Sequence, residues 1–330
     1  MIKIFADSTC DLSQEIVEKY DIGIAPLSIT VDGKTYKDKI DLTPDDFYAI
    51  IDKLSKPATT AMPAPTEFLA IMEEAYEEGC REFLCITMSS GTSGSYQSAE
   101  IAKTMFLEEH TEPEIKVHVV DSKSMSHGSG WLIMKSAMLR DRGMQFEDLV
   151  DFNEAFKKHV KHFLSVDDLD NLIRSGRLTN ASAFIGKLLK IKPIMSMRDG
   201  KGAIVAKERG RKKVMTHYVE AFKNRNHAVM NDFIIIGYTS DKSVALNLQN
   251  KIIDEVGYKG DIYIMQMGVA VGTHVGLGGL SLFFMEKDRK HDGLLVNEMN
   301  SLMKKKNEVM ARMSELNLHF NENAGKKKTK

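Results

Sequence analysis

The chain has 330 residues, 43% of them apolar, and its 45 basic and 46 acidic side chains leave a formal net charge of −1. That length suggests two domains, each able to bury a core, and the balanced charge excludes a whole-chain field suited to nucleic acid. Cys10, Cys80 and Cys85 form no CxxC and no Cys/His zinc spacing, which predicts ordinary thiols in a reducing compartment and no metal site. The opening residues, Met1 to Ser8, show no basic segment leading into a long apolar run. No stretch approaches the roughly 18–20 apolar residues of a membrane span. A cytoplasmic protein without stable membrane insertion is expected. Twenty methionines suit an adaptable apolar lining, although Met also fills cores routinely.

Ile2–Ala6 reads as a buried strand, followed by a helix over Ser13–Tyr20 with Ser13 as N-cap and Ile16 and Val17 facing inward. Ile22–Val31 is strand-like but interrupted by Pro26, and Asp32-Gly33 is a hairpin turn that returns the chain along Lys34–Lys37. Thr43-Pro44-Asp45-Asp46 opens a helix with a cap, a first-position Pro and first-turn acids. A helix over Thr66–Tyr76, a strand over Phe83–Thr87, a helix over Ser95–Leu107 and a strand over Val117–Val120 follow. Two further helices lie near Ser129–Arg140 and Phe146–Lys158. Such alternation implies parallel strands with helical crossovers and helices on both faces.

The second half reads as a mixed sheet. Ile194–Met197 and Ala203–Ala206 flank a hairpin turn. Helix Val214–Phe222, strand Phe233–Tyr238, helix Lys242–Glu255 and strand Asp261–Met265 come next. The pattern predicts two α/β domains, 1–160 and 161–285, and a helical extension, 286–330, with a basic end. In that extension Leu295, Met299, Leu302, Val309, Met313 and Leu316 form a heptad-like stripe that would pack on the body or on a second copy in a homodimer.

Four segments stand at strand ends, where open α/β sheets bind ligands. Asp7 to Leu12 follows the first strand; it is either an aspartate nucleophile, lacking the usual second carboxylate two residues on, or a loop whose Asp and Ser hold backbone. Thr59 to Pro65 is stiffened by two prolines and can hold a hydroxyl at a fixed place. Ser89 to Gln97 leads into a helix N-terminus, where it binds an anion or merely caps; it lacks a P-loop Lys and the Gly-x-Ser-x-Gly elbow. Gly268 to Gly279 is a glycine-rich loop around His274, which serves either a ligand or the structure. Leu172–Leu178 and Lys207–Lys213 are locally basic; the second is dense enough to dock an acidic partner.

Together and in this order, these segments resemble the DegV family over residues 1–285. Ala6 to Leu12 is similar to its D-S-x-x-D-L motif, Thr60-Ala61-Met62-Pro63 to T-S-Q-P, and Ser89–Ala99 to S-S-x-L-S-G-T-Y-Q-S-A. Leu172–Leu178 is similar to L-x-R-G-G-R-I, and Gly272-Thr273-His274-Val275-Gly276 to G-T-H-x-G-P-G. The resemblance implies a bacterial two-domain α/β protein that holds a long-chain fatty acid at the domain junction, as a carrier with no cofactor rather than an enzyme. It implies that Thr60, Ser93 and His274 hydrogen-bond the carboxylate, with Gly94 and Thr273 beside them. Some members present that carboxylate to a fatty acid kinase, which makes an acyl-phosphate for phospholipid synthesis; Arg209 matches a position that faces the kinase. Ala61, Met62, Thr92, Ser95 and Leu277 depart from the family pattern. Two other readings remain. A Ser-dependent hydrolase or acyltransferase would use Ser93 and His274 but needs a third group to orient the histidine. A kinase-like or small-carbonyl-binding enzyme lacks any ATP-phosphate motif.

Overall fold

The computed structural model describes residues 1–179, 191–287 and 308–312. In chain order the first part runs β1 (Ile2–Asp7), α1 (Gln14–Lys19), β2 (Ile22–Ala25), β3 (Ser28–Val31), β4 (Lys34–Lys37), α2 (Pro44–Ile50), β5 (Thr59–Ala61), α3 (Pro65–Glu77), β6 (Glu82–Thr87), α4 (Ser95–Glu109), β7 (Lys116–Asp121), α5 (His127–Asp141) and α6 (Phe146–Phe156). The second part runs β8 (Val160–Ser165), α7 (Asp170–Arg174), β9 (Leu178–Thr179), β10 (Ile191–Arg198), β11 (Lys201–Arg209), α8 (Arg211–Arg225), β12 (Phe233–Tyr238), α9 (Lys242–Val256), β13 (Asp261–Gln266), α10 (Val269–Val275) and β14 (Leu280–Met285).

Two α/β units result. The first has a parallel sheet in the order β2-β1-β6-β7. Phe68 and Met72 of α3 and Phe106 of α4 pack on one face against Phe5 and Phe83. Trp131 and Leu132 of α5 and Phe152 of α6 cover the other, against Ile4 and Leu84. The second is a mixed sheet in the order β13-β12-β14-β8-β10-β11-β9, with α8 and α9 on one face. Its other face receives α5, so this one helix is packed between both sheets. Trp131 stacks on Phe233 with ring centroids 5.2 Å apart, and its indole N–H donates to the Phe233 carbonyl at 3.3 Å. The buried Lys135 ammonium is held by Asp232 at 2.6 Å, as a desolvated charge requires.

Pro26 does more than interrupt a strand. It separates β2, in the parallel sheet, from β3, which forms a small antiparallel sheet in the order β4-β3-β5. Proline cannot donate to a central ladder, so the chain leaves the sheet there. The Asp32-Gly33 turn has φ of 45° and 85°, the left-handed pair that a two-residue hairpin needs. Among the strands that escaped the periodicity are β8 and β14. Both are buried along their whole length, and an unbroken buried strand carries no alternation. The extension's heptad stripe falls mostly outside the described residues. Within 308–312, Val309 and Met310 pack against this chain's own core, and Arg312 pairs with Asp148.

The expected glycine-rich loop is instead a short helix, α10, and the first unit clasps its start. Asp11 Oδ1 accepts the Gly268 N–H at 2.9 Å, and Asp38 Oδ1 accepts the Ala270 N–H at 3.4 Å. These amides would otherwise lack intrahelical partners. Ser126 Oγ donates to the other Asp11 oxygen at 2.6 Å, and Ser8 Oγ to the other Asp38 oxygen at 2.7 Å. Both acids are buried. Burial outweighs the nearby Lys39 charge and pushes the Asp11 carboxyl up to about 7.

That shift has a defined sign. Between the ordinary carboxylate range near 4 and about 7, native Asp11 holds a proton that the unfolded chain has lost. The stabilisation is present at low pH and disappears as pH rises through about 7. The stability of the wild type relative to Asp11→Asn should therefore fall between pH 4 and 7, by at most about 1.4 kcal/mol per pH unit, and level off above pH 8. Chemical denaturation of both proteins across this range checks it; a difference independent of pH would show that Asp11 is ionised throughout.

Candidate functional site

The parallel sheet changes direction between β1 and β6: the connection from β1 leads to β2 on one side and that from β6 to β7 on the other. Ligands sit at such switch points, beyond the carboxyl ends of the strands. A cavity of about 220 Å³ opens there. Thr9 after β1, Met88 and Ser93 after β6, and Met125 after β7 line it from the first unit. Leu172, Arg177, Val271 and His274 line it from the second, and Thr60 and Met62 close it from the small sheet.

The loop after β1 is structural. Asp7 accepts the Thr9 N–H at 3.1 Å and the Met88 N–H at 2.8 Å, and the Thr9 hydroxyl donates to it as well. Thr60 stands on β5 with Oγ1 2.8 Å from His274 Nε2. This contact joins residues 214 positions apart. Burial, reinforced by the positive charge of Arg177, pushes the His274 imidazole down to about 4. The ring is neutral at pH 7, with one donor and one acceptor nitrogen.

Ser93 lies in the same lining, at the foot of α4. Its Oγ accepts the Ser95 N–H at 3.2 Å and lies 3.0 Å from Ser95 Oγ. Capping and cavity lining therefore coexist in this loop. Gly94 also lines the cavity, and a Cβ there would stand 2.2 Å from Met62 Sδ. Thr273 is not brought into the lining: its hydroxyl donates back to the Val269 carbonyl at 2.9 Å within α10. Arg209 is exposed at the end of β11 and takes no part in the cavity.

Arg177 was read from sequence only as part of a basic surface segment. It lines the cavity, and its guanidinium donates to the Ser175 carbonyl at 2.6 Å. Among the described residues no carboxylate pairs with it. The signal for it was its place in the Leu172–Leu178 motif rather than its charge. The arrangement brings the hydroxyls of Thr60 and Ser93, a neutral imidazole and the Arg177 cation to one small volume, a donor set for an anion. A Ser–His catalytic pair is not assembled, because His274 bonds Thr60 and Ser93 bonds Ser95. All three cysteines are buried, and burial pushes the Cys10 thiol up to about 12, far from thiolate reactivity. Glu73, Glu109 and His110 are close enough to share a cation, but none of them lines the cavity.

Residues 1–287 match the model of the DegV family of uncharacterised proteins. A DegV domain-containing protein of Clostridium acetobutylicum is 35% identical over 286 residues, covering 87% of this chain and 99% of the relative. Among solved structures, a fatty-acid-binding DegV family protein of Thermus thermophilus superposes with a TM-score of 0.77 at 26% identity, covering 87% of this chain and 99% of that one. A stearic acid-binding protein of Eubacterium ventriosum gives 0.76 at 28% identity, with the same coverage of each chain. Among the described residues no helix is long and apolar enough to cross a membrane.

The position of His274 depends on close approach behind α10. A Cβ on Gly272 would stand 2.3 Å from the Tyr48 hydroxyl, which itself donates to the Met267 carbonyl at 3.0 Å. Gly272→Ala should cost about 1–3 kcal/mol of stability, the usual cost of overpacking. Adding Tyr48→Phe, which removes the nearest atom, should recover part of it. Urea denaturation of the single and double variants tests this; strictly additive losses would mean the methyl is accommodated elsewhere.

Proposed function

The chain belongs to the DegV family, and we propose that it is a carrier holding one long-chain fatty acid at the junction of its two units, with the carboxylate at Thr60, Ser93 and His274. The observation that carries this reading is the convergence of Thr60, Ser93, His274 and Arg177 on one cavity that apolar side chains such as Met88, Met125, Leu172 and Val271 also line. A carboxylate taken out of water needs hydrogen bonds and a counter-charge. The hydroxyls and imidazole supply the first and Arg177 the second. Each buried methylene of the chain adds roughly 0.8 kcal/mol of driving force.

In the same reading, the protein works in the cytoplasm and presents the carboxyl group to a fatty acid kinase for acyl-phosphate formation. Arg209, exposed at the end of β11, offers a charge for docking. A hydrolase using Ser93 and His274 has less support, because a base held near pKa 4 and bonded to Thr60 is poorly placed to activate Ser93.

Solvent extraction of protein purified from bacteria, followed by mass spectrometry, should release close to one fatty acid per chain. The combined Ser93→Ala, His274→Ala variant should be depleted. Arg177→Met should weaken stearate binding about 10–100-fold, the worth of one charge-assisted interaction of about 1.5–3 kcal/mol. A wild type that is empty and also fails to take up added stearate would sink the carrier reading, and ester turnover would then be measured.

A further inference from the structure

Beyond the cavity, between β8, β10 and α10, lies an inner chamber of about 30 Å³. The two share Met125, Leu172 and Val271 in their linings, so the chamber lies where a chain anchored at Thr60 and His274 would run. Four methionines line the chamber, Met125, Met195, Met197 and Met267. Met88 joins Met125 in the outer cavity. They come from the loops after β6 and β7, from β10, and from the turn between β13 and α10. No single element gathers them, as it would the core stripe of a helix or strand. The fold brings them from both units to one channel.

The backbone around the chamber is pinned. Leu164 of β8 stands opposite Ser281 of β14 on one side and Met195 of β10 on the other. The Met267 N–H donates to the Tyr238 carbonyl at 2.8 Å, and the Met267 carbonyl accepts from the Tyr48 hydroxyl at 3.0 Å. The Phe283 ring in the wall meets His127 and His162 edge to face, at 5.7 and 5.3 Å. One irregularity falls at the methionines themselves. The pairing of β10 with β11 slips between Ile194 and Met195, skipping Val205, and such bulges re-aim side chains beside binding sites. Ile194 packs with the residues of α8 and α9 on one face of the sheet, while Met195 and Met197 line the chamber.

The chamber has room for about two water-sized groups, at about 10–15 Å³ each. The several far methylenes of a long chain need more. With the backbone pinned, that space must come from side chains. Methionine is suited to giving it, because it is unbranched, has three rotatable bonds and fills irregular apolar space. Flexible Met-rich surfaces re-pack around partners of unlike shape. A rigid wall would instead admit one chain shape and reject another through overpacking. We infer that these methionines are a yielding wall that sets the specificity of the site: the protein holds long-chain acids with and without a cis double bond about equally well. The kink of a cis chain displaces thioethers and leaves the strands in place. This deepens the carrier reading and rests on it.

The test uses the full chain, stripped of lipid, with stearate and oleate, which have the same carbon number and differ by one cis double bond. The wild type should bind the two within about fivefold of each other. The double variant Met195→Ile, Met267→Ile keeps apolar side chains of similar size but stiffens both. It should separate the two acids by about tenfold or more, the fold-change of the usual overpacking penalty. A double variant that still binds both within fivefold overturns the role of the methionines. If the double variant does not fold, NMR of wild type labelled at the methionine methyls decides: the Met125, Met195 and Met267 resonances should differ between the stearate and oleate complexes, and identical spectra overturn the proposal. A wild type that separates stearate from oleate by more than about fivefold overturns the yielding wall and leaves the carrier reading intact. A wild type that binds neither acid overturns both.

Discussion

The geometry of the whole site depends on two buried aspartates holding the start of one short helix. Asp11 and Asp38 come from the first unit, and the amides of Gly268 and Ala270 they accept belong to the second. Parting the units without solvent would strand acids and amides together, so the interface resists gradual opening. From this clasp α10 carries His274 to within 2.8 Å of Thr60. Asp11 also accepts from Ser126, which sits at a left-handed φ of 52°. Such a conformation persists only when its surroundings over-determine it. One aspartate therefore fixes both the start of α10 and the turn that leads into α5.

The electrostatics of the head follow from what is missing from it. Arg177 faces the cavity and holds the His274 imidazole down, and no protein carboxylate among the described residues answers it. The pocket has a positive charge, and its titratable ring is kept neutral by that charge and by burial. An anion bound between them would offset the Arg177 charge and interact favourably with a protonated ring, drawing the imidazole up toward its ordinary range although it stays buried. Binding of an anion and uptake of a proton by His274 are thereby coupled.

Much of this was legible in the sequence, and the failures have physical reasons. Amphipathic elements such as α3, α9 and the Asp32-Gly33 hairpin were readable because one face is wet and the other dry. The helix α5 was located but not understood. Buried from His127 to Ala137 between two sheets, it lacks a polar face to reveal its orientation, so nothing announced that both units share it. β8 and β14 were missed for the same reason. The glycines around His274 suggested a loop, yet there Gly272 serves close packing against Tyr48 rather than a turn. Thr60, Ser93 and His274 were found through their motifs, and the structure lines one cavity with them. Thr273 was carried along by adjacency in sequence, which on a helix points a neighbouring residue elsewhere. Arg177 was visible but misjudged, because charge alone does not say whether a side chain faces water or a cavity.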